Sequence, residues 1–104
     1  MIDQLKQWLE AKGVQTYIDA APRELARCAV IHPMPFNTVN GDSTELLDIE
    51  KFQIDLYAPA RTDNILTVVR NALLDQLFMP DVIEPLNYLD EYNVYRAIVY
   101  VEVY

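Results

Sequence analysis

The order of periodicities along the chain predicts an α+β fold. It is expected to be a single domain over residues 1–104, with a mostly antiparallel sheet of about four strands and two helices packed on one face. Three observations predict it. Apolar residues recur at helical spacing twice, over Ile2–Lys12 and again from about Thr62 to Phe78. Between and after these stretches the period falls to two, most cleanly at Phe52, Ile54, Leu56 and Ala58. The chain has 104 residues, enough for one core and too few for two.

Each element follows from local chemistry. Ile2, Leu5, Trp8 and Leu9 share one helix face, Asp3 suits the first turn, and Gly13 stands where helices commonly stop. Val14–Ile18 is short and β-prone, and Ala21-Pro22 reads as a loop. Ala29–His32 predicts a strand, ended by Pro33 and Pro35, which cannot donate to a ladder. The stretch NTVNGDSTELLD opens with turn residues, Asn40-Gly41 followed by Asp42 and Ser43, and is longer than a tight hairpin needs. It predicts a long exposed arm between the first two main strands. From Glu50 the alternation sets Phe52, Ile54, Leu56 and Ala58 on a buried face and Lys51, Gln53, Asp55 and Tyr57 on a wet one. In the second helix Ile65, Val68, Val69, Ala72, Leu73, Gln76 and Leu77 follow 3.6-residue spacing, with Thr62 as a possible cap and Met79-Pro80 as the stop. The remainder predicts two strands joined near Asp90–Asn93, the last running Val94–Tyr104. Pro85 marks the first of the two as an edge or bulged strand. The expected order is α-β-β-α-β-β.

Little in this pattern carries chemistry. The junction FQIDLYAPARTD runs a strand into a helix, a place where enzymes often hold phosphates or nucleophiles. A phosphate cradle needs glycines for close backbone approach, and this corner has none. A hydrolase elbow needs a nucleophile on the turn, and Ala58, Pro59 and Ala60 offer none. Arg61 reads as a solvated surface arginine, with pairing to a carboxylate or to a neighbouring subunit as the alternative. Cys28 and His32 are the only residues of their kinds. Four apart on a strand, they share a face but lie roughly 13 Å apart along it, which disfavours a Cys–His couple. Cys28 is expected to be a buried, inert thiol. Asp90 and Glu91 are adjacent and read as wet turn residues. No cofactor and no metal is expected.

The formal net charge is −8, and between Arg70 and Arg96 there are five acids, Asp75, Asp81, Glu84, Asp90 and Glu91, with no Lys or Arg. Nucleic-acid binding and docking on an anionic membrane both need clustered cations, so neither is expected. No run approaches the ~18–20 apolar residues of a membrane span, and MIDQLKQWLE lacks the layout of a signal peptide, so an intracellular place is expected. Five of the seven tyrosines, Tyr88, Tyr92, Tyr95, Tyr100 and Tyr104, crowd the end of the chain. Such rings serve cores and interfaces alike.

The opening helix with Trp8-Leu9, the run FQIDLYAPAR, the following VVRNALLDQL and the Tyr-rich ending YRAIVYVEVY together resemble a known family. It is that of the small tail-terminator and tail-completion proteins of long-tailed bacteriophages and prophages, with the related head–tail joining and minor capsid-like proteins. The resemblance covers nearly the whole chain. It implies a non-enzymatic structural protein, a ring commonly of six subunits that caps the tail tube and joins tail to head. Its implied partners are further copies of itself, the tail tube, and the neck or head-completion proteins. Its implied place is the tail–head joint of the virion, after assembly in the bacterial cytoplasm. The arm would supply the contact to a neighbour or to the tail tube, through Met34, Phe36, Val39, Asn40, Asp42, Glu45 and Leu46. This arm departs from the family in its few charges and Pro-rich root. Six copies would carry about −48 (six times −8). Asp81, Glu84, Asp90 and Glu91 would then form an acidic lumen face past which DNA moves without being specifically bound. Two other readings remain open: a small homo-oligomeric α+β binding or adaptor module of cellular origin, and a small enzyme using carboxylates in a cleft between subunits.

Overall fold

The computed structural model describes residues 1–23, 26–34 and 50–103. Among these residues it is an α+β domain with one sheet and two helices packed against it. Helix α1 spans Ile2–Ala11 and turns Leu5 and Leu9 fully inward, with Ile2 and Trp8 packed beside them. Strand β1, Thr16–Ile18, follows at once. Then come β2 (Cys28–Pro33), β3 (Glu50–Ala58), α2 (Ile65–Asp75), β4 (Pro80–Leu89) and β5 (Val94–Val103).

The sheet has five strands in the order β1-β2-β3-β5-β4, which corrects the expected four. The additional strand is β1, which pairs parallel to β2 with Thr16 opposite Ala29 and Ile18 opposite Ile31. Three residues show no alternation of their own, so only the pairing makes this a strand. The remaining pairs are antiparallel, so the sheet is mixed. Strands β3 and β4 run the same way with β5 between them, so their connection crosses over one strand, and α2 is that crossover.

Register explains which face is buried. Ala29, Leu56 and Ala97 lie in one row across β2, β3 and β5; Ile31, Ile54 and Val99 form the next, and Phe52 and Val101 continue the face. These side chains meet Leu5, Leu9, Ile65, Val69, Ala72 and Leu73 from the helices in one continuous core. Burying each such aliphatic side chain contributes about 1.5–3 kcal/mol, which is why the alternation in β3 and β5 is so regular.

Helix α2 is shorter than its periodicity suggests. The Asp63 carboxylate accepts the Ile65 N–H at 2.9 Å and also the Arg27 Nε–H at 2.9 Å, so residues 62–64 form the approach to the helix. Asn64 occupies the N-cap position without a side-chain cap bond, and Thr62 does not cap. At the other end Leu77 adopts φ 66°, which stops the helix before Phe78. Strand β4 is an edge strand with irregular register at Val82/Glu84 and at Glu84/Asn87, as Pro85 implied.

Candidate functional site

Two surfaces stand out, and neither is the strand-to-helix corner. There Pro59, Ala60 and Arg61 are exposed, and the Asp63 N–H donates to the Ala60 carbonyl to close the turn. The Arg61 guanidinium lies over the Tyr95 ring, 5.7 Å from its centre. Arg61 is thus an exposed surface arginine, as read from the sequence, that also rests on an aromatic face.

The first surface is the sheet face opposite the helices. Its rows are His32–Gln53–Tyr100, Val30–Asp55–Ile98 and Cys28–Tyr57–Arg96. Asp55 is only 7 % exposed and Tyr57 8 %, so this face is not the wet one that alternation predicts. The reason is local. Cys28, Val30, Tyr57 and Val94 form a second small apolar cluster, with Tyr17 and Leu89 against it. Asp55 keeps its polar partners: Gln53 Nε2 donates to Oδ1 at 2.9 Å, and His32 Nε2 lies 3.3 Å from Oδ2. His32 Nδ1 lies 3.7 Å from Asp19, which links the residue after β1 to the middle of the sheet.

This array is poorly suited to nucleophilic chemistry. Burial pushes the Cys28 thiol up, with only a backbone hydrogen bond at Ala26 pulling the other way. Burial, and then the neighbouring Asp55 carboxylate, push the Tyr57 phenol up, against the pull of Arg96. Both groups therefore stay protonated, and neither is a ready nucleophile near neutrality. Arg96 lies 3.8 Å from Glu84, and its Nε is buried without a hydrogen-bond partner among the described residues. Among the described residues no group of three His, Cys, Asp or Glu side chains is arranged to hold a metal ion.

The second surface is the margin of the sheet along β4 and the chain leading into it. Leu77 is 91 % exposed, Met79 77 % and Ile83 47 %, with Val82 beside them. A shallow groove of about 530 Å³ runs back from this margin between Met34, Lys51, Phe78 and Tyr100. At the far end of β4, the Tyr88 ring packs at a tilt against Tyr95 with ring centres 5.2 Å apart, and its hydroxyl donates to Asn93. Tyr92 beside it is exposed.

Of the residues singled out for an arm contact, Met34 is half-buried, and its N–H donates to the Lys51 carbonyl at 2.9 Å. Phe36, Val39, Asn40, Asp42, Glu45 and Leu46 lie outside the described residues. The four acids do not form one cluster. Asp81 and Glu84 sit in β4 opposite Tyr100 and Ile98, whereas Asp90 and Glu91 occupy the β4–β5 turn. Glu84 is also drawn toward Arg96. The buried Asp55 and the exposed Leu77 and Met79 escaped sequence reasoning. The usable signal was the apolar pair Leu77 and Met79 just before Pro80, where a helix had already ended.

No protein-family model matches the chain, and no curated protein matches it.

Proposed function

We propose that the chain is a non-enzymatic structural subunit of a phage or prophage tail, one copy of a ring that caps the tail tube and joins it to the head. The observation that supports this most is the apolar margin along β4. Large side chains in water at the edge of an otherwise well-packed small domain suit a surface meant for a neighbour. Burial raises the Cys28 thiol and the Tyr57 phenol, so neither offers a ready nucleophile, which suits a role without covalent chemistry. The net charge of −8 suits a conduit that lets DNA pass without holding it. On this reading six copies close the ring, the residues Met34–Leu47 reach a neighbour or the tube, and the neck proteins dock above. The joint is built in the bacterial cytoplasm and stays in the virion.

The experiment is negative-stain microscopy of the protein with purified tail tubes that lack their natural cap, beside light-scattering mass on the protein alone. Closed rings seated on tube ends, with a mass near six subunits, are expected. A monodisperse dimer that ignores tube ends would replace this reading with that of a cellular binding module.

A further inference from the structure

We infer that the β4 margin of one copy docks head-to-tail on the β1 margin of a second copy. This deepens the ring reading and rests on its self-association, but not on the phage assignment.

Three observations carry it. The first is the apolar lip formed by Leu77, Met79, Val82 and Ile83 along the margin. The second is the backbone at Leu77. It adopts φ 66°, a left-handed conformation that disfavours side chains with a Cβ, and it does so while almost wholly exposed. Glycine would suit that position better, and among the described residues the leucine gains almost no packing in return. A strained apolar residue aimed into water is accounted for by a partner that buries it. The third is charge. The stretch from Asp75 to Asn93 has five acids and no Lys or Arg; Lys12 lies by Asp75 and Arg96 by Glu84, which leaves Asp81, Asp90 and Glu91 to set the charge of this margin. A two-fold contact would set Asp81, Asp90 and Glu91 of one copy against the same three acids of the other. At the opposite margin the described charged residues are Asp19, Arg23 and Arg27; Arg23 is exposed, whereas Arg27 is held by Asp63. A sheet has two edges, and here they are β4 and β1, so the contact that avoids like charges joins one to the other.

The docking is made by side chains rather than by a long added ladder. Pro80 and Pro85 lack a donor, and the register breaks at Val82/Glu84 and Glu84/Asn87 interrupt the outer edge of β4. That arrangement discourages indiscriminate strand addition while leaving the lip available.

The test uses the full chain and two variants, each crippling one margin. Leu77→Gly with Met79→Asp alters the β4 side; Arg23→Glu with Gln15→Glu alters the β1 side. All four positions are exposed, and Leu77→Gly relieves strain, so folding is preserved and is checked by thermal unfolding. Light scattering up to millimolar protein is expected to show wild-type assemblies larger than a dimer. Each variant alone is expected to need about tenfold more protein or higher to associate. An equimolar mixture is expected to form a dimer, because one intact junction remains between the two variants. If the β1 variant associates like wild type while the β4 variant does not, the contact is two-fold and the inference fails. A wild type that stays monomeric throughout also overturns it. The tail reading is judged separately. Variants that cap tube ends as well as wild type remove the margin contact and leave the tail role. Head-to-tail assemblies that ignore tubes do the reverse.

Discussion

At the end of α1 the Val14 N–H donates to the Leu9 carbonyl and the Gly13 N–H to that of Glu10, at 3.1 and 3.0 Å. At the end of α2 the Phe78 N–H donates to Leu73 and the Leu77 N–H to Leu74, at 3.0 and 2.9 Å. The two helices therefore close with the same paired bonds, and each pattern is anchored by a buried leucine, Leu9 or Leu73. They differ at the left-handed residue between the bonds. Gly13 takes φ 84° without penalty, whereas Leu77 takes φ 66° at a cost of roughly 1–2 kcal/mol. One end is composed for folding alone. The other gives up stability to hold an apolar side chain in water, and nothing among the described residues explains that choice.

The anchors should be equivalent if the two ends really are the same structure. Leu9→Ala and Leu73→Ala each remove a fully packed side chain from the continuous core, so each is expected to cost about 2–5 kcal/mol. Urea unfolding of the two variants gives the comparison directly. A cost at Leu73 far below that at Leu9 would mean that the α2 end is looser, and that its odd residue reflects poor packing instead of an external partner.

The left-handed positions should respond in opposite directions. A Cβ at Gly13 would meet nothing within 4 Å, so Gly13→Ala isolates the backbone cost and is expected to lose about 1 kcal/mol. Leu77→Gly is expected to gain a similar amount, about 1 kcal/mol, because strain is relieved and almost no contact is lost. Denaturation midpoints of dilute, monomeric protein check both. A Leu77→Gly chain less stable than wild type would show that the leucine packs within its own molecule, and the contrast between the helix ends would disappear.

The legibility of the sequence follows the same contrast. Where local chemistry and packing agree, the sequence is readable: Ile2, Leu5 and Leu9 give α1, Gly13 its end, and the alternation from Phe52 to Ala58 the central strand. Where a feature depends on a distant partner, it is not. Strand β1 is three residues that become a strand only beside Ala29–Ile31. Asp55 looks wet in a two-residue period, yet it is buried, because His32, Gln53 and the Tyr57 cluster close over it from three rows. The early stop of α2 depends on a leucine adopting a conformation that propensity assigns to glycine, so the periodic pattern overruns it. The apolar margin was hidden for a related reason, since Leu77 fits the helical face when read as sequence and leaves it when the backbone turns.

The smallest effect tests whether the two ends also communicate. Lys12, just past α1, lies 3.7 Å from Asp75, the last residue of α2, with both side chains more than half exposed. Exposed pairs of this kind contribute about 0–1 kcal/mol and are screened by salt. Their places on the helices are unequal. Lys12 faces the negative end of α1, where a cation is favoured; Asp75 stands at the negative end of α2, where an anion is not. Lys12→Gln therefore loses both the pair and a favourable dipole contact, and is expected to cost about 0.5 kcal/mol. Asp75→Asn loses the pair but relieves repulsion at the helix end, so it is expected to lie within about 0.3 kcal/mol of wild type. Unfolding in low salt, repeated near 1 M salt where the screening length is about 3 Å, should erase the difference between the two variants. If the difference survives high salt, the side chains act through packing of their stems. The helix ends would then be coupled more tightly than a surface ion pair allows, and the costs at Gly13 and Leu77 could not be treated as independent.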